Sequence, residues 1–491
     1  MQPRNLPRAI LVFLMFWLPG IAGPAISTAA MPLSPLEITL AVDTQLINDP
    51  AVEAHMIDIT TDDGVVTLEG TVTHLLARER AEDIAMTING VRSVINRLEI
   101  ADLPRSDEEI RRDVQQALRD EPATEKYSVQ VAVSKATVVL TGLVDSWQEK
   151  QLCGRVAKGV RGVHAVTNNI EIEARIRRSD AEIAEEIGRR MAWDVWLDPG
   201  LVAVTVQDAA VTLSGAVGSL AEKRRAYANA WVAGVISVND QPLVIDWSRR
   251  SEMRRPVVRP RAEASEIRRA VETTFRYDPR IAPERIDIRV ENGVVTLFGE
   301  VESLKAKRMA GEDARNTVGV WRVRNHLKVR PGIGPHRRPM PDFDAQLARK
   351  VRTALLRDPV IEQDKITVTV NNYLAKLEGT VGSQHEKQQA EDIASRIRGV
   401  VAVVNNLAVG GTWNPRSDEE IRDRIAEEFA WSPFVDADRI VITVSDGVAV
   451  LTGVVEDLRE RRAATENAFE GGARQVRNHV KVRYGPEHLQ P

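Results

Sequence analysis

Asn292-Gly-Val-Val-Thr-Leu-Phe-Gly299, with Gly319-Val-Trp-Arg-Val-Arg-Asn325 beginning 20 residues after Gly299, is the stretch that organises this 491-residue chain. An Asn-Gly pair between alternating apolar residues is the mark of a two-residue β-hairpin turn with positive φ. Ile286, Ile288 and Val290 supply the outgoing strand, and Pro279 stands 20 residues before Gly299. The same spacing of a proline and two glycines recurs as Pro50, Gly70, Gly90; Pro122, Gly142, Gly162; and Pro359, Gly379, Gly399. Pro433, Gly453 and Gly472 differ by one residue. Pro199, Gly215 and Gly234 are spaced 16 and 19, which reads as a loss of about four residues before the first glycine. Six such triplets mark a tandem repeat.

Outward from the hairpin, each unit opens with a helix of about 14 residues. Pro104-Arg-Ser-Asp-Glu-Glu-Ile-Arg111 recurs identically at 415–422, and Ser106 with Glu109, Ser179 with Glu182 and Ser417 with Glu420 have capping-box spacing. Ile110, Val114 and Leu118 give that helix a buried stripe, and the marker proline stops it. Lys135-Ala136, Asp208-Ala209 and Asn372-Tyr373 stand at the turn in repeats two, three and five, so wider or weaker hairpins are expected there. The first marker glycine should end the returning strand. A second helix then starts at Ser146, Ser219, Ser303, Ser383, His74 or Asp457, with Glu149, Glu222, Glu386 and Glu460 three residues on. A last strand follows the second glycine. The fold expected is α+β: six tandem α-β-β-α-β domains, each a three-stranded mixed sheet with two helices on one face. The repeats are placed at 36–102, 104–174, 177–248, 262–331, 342–410 and 415–484, with an Arg/Pro-rich linker at 249–261.

Composition narrows the function. Aromatic residues make up only 4%, so the cores are small and aliphatic, and a net charge of −4 excludes a strongly basic nucleic-acid binder. The single cysteine, Cys153, excludes an intramolecular disulfide framework or a cysteine-based zinc site. Arg4 and Arg8, the apolar run Ala9–Leu18 and the small residues up to Ala30 predict a cleaved signal peptide over 1–30 and a periplasmic location. An uncleaved inner-membrane anchor is the alternative. Cleavage removes two arginines and no acid, which leaves a charge of −6.

The helix-Asp-Pro opening, the hairpin Gly293-Val-Val-Thr-Leu-Phe-Gly299 and the closing Gly319-Val-Trp-Arg-Val-Arg-Asn325 resemble the BON domain family of bacterial osmotic-stress and nodulation proteins. The resemblance covers residues 36–484. It implies an exported envelope protein whose domains bind phospholipid surfaces or hold other proteins, in a family not known for catalysis. Repeat two departs most, with Ala136 in place of the turn glycine.

The residues point to no catalytic site, cofactor or metal. No HExxH, GxSxG, P-loop or GxGxxG pattern is present. His326 and His479 each follow a closing asparagine and read as polar strand ends. Gly70, Gly90, Gly142, Gly162, Gly215, Gly234, Gly299, Gly319, Gly379, Gly399, Gly453 and Gly472 read as backbone necessities. Candidates for lipid contact are aromatic side chains at the end of the first helix: Trp193 and Trp196 in repeat three, Trp431 and Phe434 in repeat six. The second candidate is Arg249, Arg250, Arg254, Arg255, Arg259 and Arg261, a basic run suited to anionic phospholipid. Packing between helix and sheet is the competing role for the aromatics, and solvation that for the arginines. The expectation is therefore a multivalent, non-enzymatic protein on a membrane surface, with no nucleic-acid partner; the alternative is a periplasmic scaffold that holds envelope proteins or copies of itself through sheet faces or edges.

Overall fold

The structure is a computed structural model that describes residues 34–49, 51–101, 103–173, 178–253, 262–330, 341–361, 365–410, 417–432, 434–455 and 458–482. The leader expected over 1–30, the N-cap position Asp457 and the linker residues Arg254, Arg255, Arg259 and Arg261 lie outside these. By its contacts the chain divides into Met1–Pro32 and Leu33–Pro491, and all six repeats lie in the second unit. No helix among the described residues is long and apolar enough to cross a membrane.

Repeat two shows the plan. Helix Asp107–Asp120 leads to strands Gln130–Ser134 and Thr137–Val144, then to helix Trp147–Lys158 and strand Ala165–Ile172. The second strand is central, antiparallel to the first and parallel to the last. This order recurs in six mixed sheets among the described residues. In repeats three, four and six the last strand is broken into two pieces, as at Arg322–Asn325 and Lys328–Val329. Ile110, Val114 and Leu118 pack from the first helix, and Leu152 and Val156 from the second, onto Val138, Leu140 and Val144 of the central strand. Burial of such side chains stabilises by about 1.5–3 kcal/mol each. Both helices thus cover one face of the sheet. On the other face Thr141 and Leu143 are exposed.

Three local expectations are corrected. First, the central strand runs through its marker glycine for two more residues, as Leu374–Val381 does past Gly379. Gly379 has φ +131°, and a Cβ there would lie 1.8 Å from the Lys365 carbonyl oxygen, so only glycine fits where the strands press together. Second, all six hairpins keep the tight two-residue turn. Ala136, Ala209 and Tyr373 take φ of 58°, 62° and 65°. An aspartate on the first helix explains how. Asp107 accepts the amides of Lys135 and Ala136, each at 2.9 Å, and Asp180 does the same for Asp208 and Ala209. Asp344 accepts from Asn372 and Tyr373, and Asp418 from Asp446 and Gly447.

Third, repeat three has lost nothing before its first glycine. Its first helix ends at Trp193, and Asp194 takes the place that Asp278 holds before Pro279. Val195 therefore stands where the other repeats carry the marker proline, 20 residues before Gly215. Pro199 corresponds to Pro283, since each opens the 3-10 turn that precedes the first strand. The replacement has a use. The Val195 amide, which a proline would lack, donates to the Asn316 carbonyl of repeat four at 3.1 Å, and Val318 donates back to Trp193 at 2.9 Å.

The repeats pack through their helices. The second helices of repeats one and two meet at Glu79 and Lys158, and Arg224 of repeat three reaches Glu82 and Asp83 of repeat one. Among repeats four, five and six the counterparts are Arg308 with Glu391, Lys305 with Asp392, and Arg462 with Glu312. Across the two sets, repeat three meets four and repeat two meets five, where Arg161 donates to the carbonyls of Arg357, Asp358 and Ile361. Repeat one meets six through Asn89 and the Ala430 carbonyl.

Candidate functional site

The end of the first helix, singled out in the sequence for its aromatics, is where these contacts converge. An acid closes the helix in five repeats: Asp49, Glu121, Asp194, Asp278 and Asp358. Four of these carboxylates accept the amide two residues on, from Ala51, Trp196, Arg280 and Val360, at 2.8–3.0 Å. This turn forces the chain sideways and presents the preceding residue to a neighbouring repeat. In repeat three that residue is Trp193, which packs against the core of repeat four. In repeat four it is Tyr277, which packs against the core of repeat three and donates to Glu186 at 2.9 Å. In repeats two and five the residues are Asp120 and Arg357, which pair with each other at 2.7 Å.

Trp196 meets Phe434 of repeat six edge to face, with ring centroids 5.2 Å apart. Trp193, Trp196 and Phe434 are thus half-buried between repeats rather than displayed together on one surface. Trp431 ends its helix Asp418–Trp431, and its side chain lies outside what is described. Of the basic run, Arg249 pairs with Glu252 at 2.9 Å on the short helix that leaves repeat three, and the Arg250 side chain is not described.

Around Asp194 the interface is polar. Arg225 donates to it at 2.5 Å and Asn229 at 2.6 Å. Burial alone would raise this carboxyl, but Arg225 outweighs it and holds the pKa below the ordinary value. Asp392, between repeats four and five, is held at about 2 because Arg396 and Lys305 overcome its burial. Cys153 is buried, and burial pushes its thiol up to about 12.

The sequence reading missed one cluster. Trp147, one residue inside the second helix of repeat two, stacks on Trp231 of repeat three with centroids 5.6 Å apart and planes 5° apart. Its signal was a tryptophan directly after the N-cap Ser146, at a position the other repeats fill with Leu or Gln. The glutamates after the second N-cap also differ from a capping box. Glu149 and Glu222 accept from the serine hydroxyls of Ser146 and Ser219, and Glu386 from the Gly382 amide. The closing asparagines are ties within the fold. Asn325 donates to the Lys307 carbonyl at 2.6 Å and accepts the Leu327 amide. His326 stacks on Phe298 at 5.3 Å on the outer sheet face. Among the described residues no three His, Cys, Asp or Glu side chains are grouped to hold a metal ion.

Such an arrangement defines a tandem array of small modules joined through their helices, with outer sheet positions such as Leu143 and Val441 left accessible. Residues 36–102, 106–174, 179–245, 263–331, 343–411 and 417–484 each match the BON domain, and the chain belongs to that family. Among characterised relatives it is 30% identical over 122 residues to osmotically-inducible protein Y of Escherichia coli (strain K12), a match that takes in 25% of this chain and 60% of the relative's length. Among solved structures, the C-terminal domain of CdsD, a structural protein of the type III secretion system of Chlamydia trachomatis, is matched over its whole length and 48% of this chain, at 14% identity and a TM-score of 0.13. A second CdsD structure is matched at 14% identity and a TM-score of 0.12 over 42% of this chain and 91% of that one. Scores this low carry no inference.

Proposed function

We propose that the protein is a non-enzymatic periplasmic scaffold of the envelope that supports osmotic-stress tolerance by presenting several sheet faces at once to envelope proteins. The observation that carries this reading is the direction of packing. Helix faces and helix ends are spent on contacts between repeats, while outward positions of the sheets hold accessible apolar side chains: Leu143, Val404, Val441 and Val454 are 55, 37, 61 and 39% exposed. Residues of this kind on a rigid strand suit weak protein contacts, and several weak contacts on one chain add up to tight binding. Membership of the BON family and likeness to an osmotically-inducible protein support the setting.

Binding to anionic phospholipid is the second reading, favoured by the arginines at 249–261 beside repeat three. The two are separated by photo-crosslinking in the envelope and by flotation with phosphatidylglycerol vesicles. A photoreactive residue at Leu143 or Val441 is expected to capture discrete proteins, and the mature chain to stay with the vesicle-free fraction. Flotation lost on replacement of the six arginines by Ser, with no crosslink from either sheet position, transfers the function to the lipid surface.

A further inference from the structure

A cavity of about 670 Å³ lies where repeats two, three and four meet. That volume is of the size that holds small organic ligands. Trp147 of repeat two and Trp193 of repeat three line it, and Tyr277 of repeat four completes the aromatic wall. Trp147 is held rigid by its stack on Trp231, and Tyr277 lies beneath the Arg190 guanidinium at 4.1 Å.

The wall carries both signs of charge, with Glu186, Glu266, Glu272 and Asp278 among its carboxylates. Arg225 is taken by Asp194, Arg280 by Glu121 at 3.0 Å, and Arg190 by the Asn229 carbonyl at 3.0 Å. Arg155, on the second helix of repeat two, also lines the cavity, and among the described residues its guanidinium makes no hydrogen bond or ion pair. Its side chain is exposed to solvent at the edge of the cavity, with the protein crowded around it. Burial, and then the neighbouring Arg280, lower its pKa, against the opposite pull of Asp278 and Glu121. Asp313 also lines the cavity, where its carboxyl is buried and hydrogen-bonds with the Asp278 carboxyl. Burial, and then the adjacent Asp278 carboxyl, push Asp313 well above the ordinary range and favour its neutral form. A neutral carboxyl adds a hydrogen-bond donor and takes one negative charge away from the wall, so that Asp278 and Glu121 are the carboxylates that still act on Arg155. A guanidinium in such a place is satisfied best by a planar anion that accepts two of its N–H groups.

We propose that this cavity is a binding site for a small organic phosphate or carboxylate, with the anionic group on Arg155, the carbon skeleton against Trp147 and Trp193, and a polar substituent at Asp313. Three repeats contribute to it, so the site exists only in the assembled chain. The same phosphate chemistry occurs in soluble metabolites and in lipid headgroups, and the test distinguishes them.

Tryptophan fluorescence and calorimetry of the mature full-length chain are followed during titration with glycerol 3-phosphate, with citrate, with inorganic phosphate and with phosphatidylglycerol vesicles. Saturable quenching by at least one soluble anion at up to about 10 mM is expected. Arg155→Gln should weaken binding by about tenfold or more, because the charged partner is lost. Thermal stability of that variant should be unchanged or raised, since Arg155 satisfies no other side chain. Arg349→Gln, on an exposed helix position of repeat five, should bind as the parent does. Saturation by vesicles alone assigns the phosphate to a headgroup and removes the soluble ligand. No saturable response to any of the four probes, or equal affinity in Arg155→Gln, overturns the site.

Discussion

Asp107 and its counterparts Asp180, Asp344 and Asp418 each hold two amides of a turn that is 28 residues further along the chain. A carboxylate that accepts two N–H groups makes left-handed backbone affordable for residues with a Cβ. Repeats one and four have no such aspartate and carry Gly64 and Gly293 at the turn. The two devices substitute for each other, with repeat six using both. Asp107→Ala should therefore destabilise repeat two by about 1–3 kcal/mol. Ala136→Gly in that background should recover much of the loss. Hydrogen exchange at the Lys135 and Ala136 amides reads both effects, and unchanged protection in Asp107→Ala would refute the clamp. His74 carries a pH dependence of known sign. Its Nδ1 accepts the Ala77 amide at 3.0 Å as the N-cap of the second helix of repeat one. Burial, with His385 and Arg161 nearby, depresses its pKa from 6.5 to about 4. The unfolded chain binds the proton more tightly, so the stabilisation is complete above pH 6.5 and is lost as pH falls toward 4. The loss is about 3 kcal/mol at most. A melting profile of His74→Asn, whose amide still caps, should be flatter between pH 6.5 and 4 than that of the parent.

At the scale of elements, the helices and hairpins were legible because each has a local cause. The serine caps, the apolar stripe of Ile110, Val114 and Leu118, and the Asn-Gly and Asp-Gly turns act within a few residues of chain. What could not be read was which surface of an element meets another repeat. Arg161, Arg280 and Arg357 look like solvated charges, and only the fold shows that their partners, such as the Asp358 carbonyl or Glu121, lie 159 or more residues away. Trp193 and Trp196 were noticed as large rings at a helix end, but nothing local distinguishes a ring that faces a bilayer from one that faces a sister repeat. Val195 shows the same limit. Its missing proline read as a deletion, because the use of its N–H is written in repeat four. Val195→Pro should break the hydrogen bond to Asn316 while leaving repeat three folded. Faster amide exchange at Val318, with circular dichroism unchanged, is the expected result. Undiminished protection at Val318 would mean that the bridge does not join the two repeats.

At the scale of the whole molecule, the contacts fall into a pattern. Repeats one, two and three touch through their second helices, and repeat four touches five and six through the same helix. The cross-contacts join three with four, two with five and one with six, and others join two with four and three with six. Trp196 and Phe434 occupy the same position in repeats three and six, each three residues past the helix end, and touch each other. Arg224 with Asp83 and Arg462 with Glu312 are likewise equivalent pairs in the two halves. Residues 34–253 alone should therefore form a dimer through the surface that normally receives residues 262–482, with Trp196 against its own copy. Sedimentation equilibrium checks this, and a strict monomer at micromolar concentration would exclude it.

The meeting of Trp196 with Phe434 also bears on origin. Self-complementary contact between equivalent residues is the signature of an isologous, twofold-symmetric interface. One chain that carries such an interface inside itself has the form left when the gene of a symmetric homodimer is duplicated in tandem and fused. Fusion frees the two copies to diverge: Trp could become Phe at the axis, and Val195 could replace proline on one side only. The wall of the cavity among repeats two, three and four carries the same divergence: Trp147 there corresponds to Gln384 in the other half.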